Sequence, residues 1–516
     1  LLHAAPPSKL ARANKEEDPM ISRHALAAAL LLAASVGPAC ANRDLFVVDL
    51  VNNPASLDPQ VQWDPDSYFV YRNVFDNLVT RDAAGRIVPQ VATAWSYQSD
   101  TQIVFTLRDD IHFEDGTLLT PDDVVFTIKR ITDPAFKSPQ LSQFDSIVGA
   151  EADGANKVRL TTKRPYPVLL AQLVKLSIVP GAIVEKLGND GFNQHPIGSG
   201  AYRLTNFTRG VKVELAANPS YWRGTPPFPR VEMRPVPNEE TRIADVRTAR
   251  ADIVRVSLTD TADSLKGDAQ VKVLFSPVER AAMLMLNALT GPTKDVRVRR
   301  AIAHAIDRNL IVEALLKGYA RVVDEPMTPA NFGWADGLKS YDYDPAAAKS
   351  LLKEAGIAPG TKVTFPTGPF FDQRVVQAIQ QMLADVGLHA QISMTDGPTY
   401  LRLRQGRPDE AGDVSFFRWS CGCQDADGVL FPLFHSSSQW AKYSNPSVDA
   451  ELETARNSLD SAKRLALYRQ VLETLHTDVP AVPLYQDVMM FAARKEVKFQ
   501  PTPNEAFFLM DMNWSP

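Results

Sequence analysis

The strongest constraint on the fold is an alternation of strand-like and helix-like stretches that runs along the chain with no internal repeat and no long low-complexity linker. Leu45 to Leu50 is an extended apolar run, and Ile103 to Leu107 is another, ending in the turn-rich Asp109 to Gly116. Thr120-Pro121-Asp122-Asp123 then opens a helix toward Arg130: Thr120 caps free backbone N–H groups, Pro121 suits the first helical position, and Asp123 completes a capping box. Lys157 to Thr162 reads as a strand and Pro167 to Leu173 as mostly helical. Farther on, Arg299 to Lys317 reads as one helix, with Ile302, Ile306, Leu310 and Leu315 near one face and Gly318 as its terminator. A helix over Arg374 to Val386, stopped by Gly387, is expected to lead into the strand His389 to Met394. Asn445-Pro446 begins another helical region, which breaks at Leu459-Asp460 and resumes over Ala462 to Leu475 before Val482 to Ala492 returns as extended chain. The class is therefore mixed α/β, and 516 residues suffice for two or three domains with substantial cores.

The beginning of the chain narrows the compartment. From Met20, a basic residue (Arg23), an apolar run from Ala25 to Val36 and the small-x-small end Ala39-Cys40-Ala41 read as a secretory signal cut before Asn42. Cys40 suits lipid attachment poorly, because Gly37 stands where an aliphatic residue is expected. The run is too short to span a bilayer, and no later stretch of about 20 apolar residues exists. An exported, soluble protein is expected, with residues 1–41 set aside as upstream segment and signal. A formal charge of −5 gives no reason to expect a nucleic acid partner.

The segment Arg418-Trp419-Ser420-Cys421-Gly422-Cys423-Gln424-Asp425-Ala426-Asp427 concentrates the chemistry. Cys421 and Cys423 are the only cysteines after Asn42 and could be a disulfide or thiols; they lack the C-x-x-C spacing of thiol exchange. With Asp425, Asp427 and His435 they also lack the usual spacing of a structural zinc site. Asp425 and Asp427 invite a glycosidase reading, but such carboxylates normally come from opposite walls, and neighbours in one loop more commonly anchor a turn. No G-x-S-x-G elbow occurs, and Gly198-Ser199-Gly200 lacks the lysine of a nucleotide-binding loop. Trp419 offers a rigid apolar face that can be core or the cover of a ligand, and Arg418 a directional fork for an anion or a salt-bridged flank.

Several blocks, taken in order, resemble the solute-binding proteins of peptide, opine and nickel ABC importers. They are Asn53-Pro54-Ala55-Ser56-Leu57-Asp58-Pro59, Phe105 to Phe113, Asp115-Gly116, Thr120 to Val124, Pro196 to Tyr202, Asn218-Pro219-Ser220-Tyr221-Trp222 and Val298 to Ile302. The resemblance implies an α/β, two-lobed periplasmic binding protein of the large peptide-binding type, with an extra subdomain in the first lobe. It implies a first lobe over 42–281, a second over 282–484, and a return into the first over 485–516. The crossings fall near Ala282 to Leu289 and Pro480 to Tyr485. It further implies capture of a small solute in the periplasm, delivery to ABC permease subunits, a monomer, no cofactor or metal, and no catalysis.

The resemblance also assigns roles to residues. Trp419 is similar to the tryptophan of the family's W-x-x-D ligand loop, but Gly422 stands where the aspartate that receives a peptide amine would be. Thr367, Gly368, Pro369 and Phe370 occupy the place of one carboxylate-binding arginine, and Phe416 that of another; Arg418 could compensate. The expected wall of the site comprises Arg418, Trp419, Ser420, Cys421, Gly422, Cys423, Asp425 and Asp427, with Asn53 and Phe370. A peptide-like solute is the leading class, with an opine, a sugar-phosphate-like compound or a metal chelate as alternatives. A secreted hydrolase, or a chaperone or signalling binder of the same fold, would be a different kind of protein.

Overall fold

The structure is a computed structural model that describes residues 44–61, 64–369 and 371–515. The expected signal segment and Phe370 lie outside the described residues.

A large mixed sheet organises the chain. Its strands run in the order Val414–Trp419, Val271–Leu286, Ala481–Arg494, Ile253–Val256, Leu45–Leu50, Arg230–Pro235, Lys212–Ala217 and Tyr202–Thr208, with Arg321–Val322 added beside Ala481–Arg494. Leu45–Leu50 sits centrally, parallel to both neighbours. Phe46, Val48 and Leu50 are buried in one core, as period-two alternation requires of residues on one face.

Two separate cores make the molecule two-lobed. One gathers Phe46, Phe69, Tyr202, Val231, Phe491 and Phe507. The other gathers Leu284, Ile302, Phe365, Phe416, Leu430 and Leu484. A third core, including Phe105, Ile128 and Leu160, belongs to a subdomain. Its sheet has four strands, Ala92–Ser99, Gln102–Leu107, Lys157–Thr162 and Ile147–Ala152.

The antiparallel strands Val271–Leu286 and Ala481–Arg494 pass from one main core to the other. Val278 packs in the first core and Ala281 in the second, so Glu279 and Arg280 stand at the crossing. The pairing slips between Pro277 and Ala281, an irregularity that re-aims side chains where the strand changes lobes.

Local chemistry explains the elements nearest the site. Asp123 Oδ2 accepts from both the backbone N–H and the hydroxyl of Thr120 at 2.9 Å, starting the helix Pro121–Thr132. Gly198 and Gly200 have a packing role. A Cβ on either would strike the Val74 carbonyl at the end of the helix Pro65–Val74, which accepts from the Gly200 N–H at 2.8 Å. The single helix expected over Arg299 to Lys317 is corrected. The helix Val296–Ala305 ends at Ile306, whose backbone is extended, and Asp307 caps a new turn by accepting from the Leu310 N–H. The chain then continues as a wide helical turn, Ile311–Leu315. Asp307 can face water in a continuous helix or cap a fresh one, and periodicity does not distinguish the two. Among the described residues, no helix is long and apolar enough to cross a membrane.

Candidate functional site

The strand Val414–Trp419 forms the sheet edge in the second lobe, so its last residues emerge beside the crossing strands. Trp419 is half-buried, stacked on Phe417 at 5.6 Å between ring centroids and edge-on to Trp440 at 5.5 Å. Its Nε1 donates to the Gly428 carbonyl at 2.8 Å, which fixes the indole plane. Ser420 follows, also half-buried. Cys421 and Cys423 form a disulfide with Cα atoms 5.0 Å apart. A Cβ on Gly428 would run into both sulfurs, so the loop folds back tightly on the start of the helix Asp427–Phe434.

The two loop carboxylates serve the second lobe itself. Asp425 is buried, bonded to Arg464 at 2.6 Å, and accepts from the Asp427 N–H at 2.9 Å. Burial raises its pKa and Arg464 opposes the rise. Asp427 is also buried, and an ion pair to Arg456 at 3.3 Å does not offset the burial, so its carboxyl is pushed up to about 6. Each acid answers to its own arginine, an arrangement suited to holding a loop.

Two first-lobe cations close on this loop. Arg81 Nη2 donates to the Cys423 carbonyl at 2.8 Å while its Nη1 donates to the Gly85 carbonyl at 2.6 Å. Lys175 lies against Gly422 so closely that a Cβ there would overlap its Nζ and Cε. Burial lowers the Lys175 pKa, partly countered by Glu279 and Glu505. The absence of a side chain at Gly422 thus makes room for an ammonium from the other lobe.

The crossing strands complete the cluster. Arg418 and Arg280 both pair with Asp487, the latter at 3.6 Å, and Arg280 also reaches Glu505 at 3.2 Å. Burial would raise the Asp487 pKa, but Arg418 and Arg280 outweigh it and hold the carboxyl below its usual value. Arg418 is therefore engaged as a salt-bridged flank. Glu279 is buried, and burial together with repulsion from Glu505 raises its carboxyl to about 7 despite Lys175. Arg255 stacks over Phe69 and Phe491, with centroid distances of 5.7 and 5.3 Å, and feels Glu505 and Asp66.

The structure places residues 418–427 together in one strand end and the loop that follows it, while Asn53 is used elsewhere. Asn53 Nδ2 donates to the Pro54 carbonyl at 2.7 Å, and Asn53 Oδ1 accepts from the Gly210 N–H at 2.7 Å, tying two first-lobe turns. The expected contribution of Phe370 lies outside the described residues. Sequence reasoning missed Arg81, Lys175, Arg255, Glu279, Arg280, Asp487 and Glu505. One signal was available for three of them: Glu279-Arg280 and Asp487 are charges inside otherwise apolar extended runs, where a charge needs a specific partner.

Residues 86–441 match the family described as bacterial extracellular solute-binding proteins, family 5 Middle. The chain belongs to that family. Among relatives of this family 5 protein, the glutathione-binding protein GsiB of Escherichia coli O157:H7 is 30% identical over 503 residues, covering 94% of this chain and 97% of the relative. The protein of the same name from Salmonella typhi is 28% identical, covering 95% and 98%. Among solved structures, CtaP of Listeria monocytogenes has a TM-score of 0.84 at 22% identity, covering 92% of this chain and 99% of its own. DppA of Helicobacter pylori, solved with peptide STSA, has a TM-score of 0.76 at 25% identity, covering 92% and 98%. The protein is thus an extracytoplasmic, periplasmic solute-binding component of an ABC importer, a transport protein and not an enzyme, with the two-lobed α/β fold of its family.

Proposed function

We propose that the solute is a short peptide-like zwitterion carrying more than one carboxylate, the chemical class of glutathione. The observation that carries this reading is Lys175 set against Gly422, which puts a first-lobe ammonium at the position where the family resemblance leads one to expect an acidic side chain. Arg255 adds a guanidinium in the same cluster; its Nη1 is buried without a hydrogen-bond partner. A carboxylate would satisfy Arg255, and a further one would be drawn to the positive charge at Lys175, whereas Arg280 and Arg418 are held by Asp487 and Glu505. Curated relatives near 30% identity that are named glutathione-binding proteins support the same class.

In this reading Trp419, Ser420 and the Cys421–Cys423 loop form the second-lobe wall. The chain divides into a first lobe at 42–281, a second at 282–484 and a return at 485–516. It acts as a monomer that closes over one solute. Isothermal titration and native mass spectrometry with glutathione, neutral free-amine dipeptides and an opine test the assignment. Glutathione is expected to bind most tightly and to shift the protein by one ligand mass. Preference for a neutral dipeptide or an opine would refute it.

A further inference from the structure

A buried carboxylate at the lobe crossing has an oxygen that the protein leaves unanswered. Glu279 is 3% exposed, and its Oε2 lies within the protein without a hydrogen-bond partner. Its main chain is anchored, since its N–H donates to the Pro503 carbonyl at 3.2 Å. Buried polar atoms in native proteins are nearly always paired, and an unpaired carboxylate oxygen is among the costlier exceptions. The neighbouring charges do not resolve it: Lys175 and Arg280 attract Glu279, Glu505 repels it, and Lys175 is packed against Gly422.

Position gives the orphan oxygen a purpose. Val278 belongs to the core of one lobe and Ala281 to that of the other, so Glu279 sits where the lobes meet, beside the first-lobe lysine that touches the second-lobe loop. A donor that arrives with the solute and leaves with it would complete the site only when it is occupied. Of the groups on a peptide-like zwitterion, only the ammonium combines a positive charge with several N–H donors.

We propose that Glu279 receives the ammonium group of the solute. The assignment rests on the peptide-like reading above. The cationic and anionic ends of the solute are then read by different parts of the molecule, the ammonium by the crossing strand and the carboxylates by Lys175 and Arg255.

The test is a cycle of two proteins and two ligands, wild type and Glu279→Gln, each titrated with glutathione and N-acetylglutathione. Acetylation removes the charge while leaving both carboxylates. In the wild type it is expected to weaken binding roughly tenfold or more, and in Glu279→Gln by much less, because the partner is already gone. Equal loss on acetylation in both proteins, or wild-type affinity in Glu279→Gln, overturns the assignment while leaving the peptide reading intact. Failure of the wild type to bind glutathione overturns both. Thermal unfolding establishes that the variant is folded, and Glu279→Asp, which keeps a carboxylate, should recover part of the discrimination if the role is correct.

Discussion

Lys175 and Gly422 fill complementary halves of one contact between the lobes: the lysine stem takes the volume that a side chain at 422 would need. Gly422→Ala should therefore weaken solute binding by about 1–3 kcal/mol, the usual cost of overpacking, with little change in the stability of either lobe. Adding Lys175→Ala should relieve the steric part, so the double variant should lose less than the sum of the single changes. Titration calorimetry reads the affinities and small-angle scattering the degree of closure. Unchanged affinity in Gly422→Ala would show that the contact is absent from the bound state.

Asp425 and Arg464 form a buried pair that also fixes the start of the helix Asp427–Phe434. Removing one partner leaves a buried charge alone, so Asp425→Asn and Arg464→Met should each cost about 3–5 kcal/mol in urea unfolding. The double variant should be less damaged than the two losses added together. Strict additivity would mean that the residues act independently.

The disulfide links residues two apart, a separation that restrains the unfolded chain only slightly. Reduction, or Cys421→Ser with Cys423→Ser, should lower stability by about 1–2 kcal/mol at most. The effect on affinity should be larger than that loss suggests, because the same loop supplies the Cys423 carbonyl to Arg81 and the Gly422 surface to Lys175. Melting temperatures and dissociation constants with and without reductant separate the two effects. A large fall in melting temperature with intact affinity would assign the bond to folding alone.

Acid should favour the solute-free fold. Glu279, facing Glu505, Lys175, Arg280, Arg81 and Tyr68, has its carboxyl raised to about 7, and Asp427, facing Arg456, Asp425, Arg464 and Arg164, is raised to about 6. Their ordinary values of 4.5 and 3.8 apply once the chain unfolds. The folded state therefore holds protons that the unfolded state has released, and stability from these groups falls as pH rises from about 4 to about 7. Thermal melts between pH 5 and 8 should show this decline, and Glu279→Gln should flatten it. Solute affinity should move the other way, rising from pH 5.5 to 7.5 as Glu279 ionises. A pH-independent affinity would place the solute's ammonium elsewhere.

Much of the framework was legible in the sequence because it is local. The strand Leu45–Leu50 and the capped start at Thr120 depend on alternation and on one side chain three residues away. The split of the expected long helix at Ile306 was not legible, because Asp307 fits either outcome. At the site, the loop around Trp419 was conspicuous for its composition; Asp425 anchors its turn and pairs with Arg464, and Asp427 pairs with Arg456. Lys175 was invisible for a physical reason: it is an ordinary charged residue until folding brings distant segments together and removes water from it.

The crossing strands carry a further consequence. Glu279 and Arg280 on one, and Asp487 on the other, lie where the backbone passes between cores, so the carboxylate proposed to meet the solute, with the ion pair beside it, is attached to the segments about which the lobes would swing. Detection and movement then share a fulcrum. A mutation there should alter opening and grip together, whereas one in the aromatic wall around Trp419 should change grip alone.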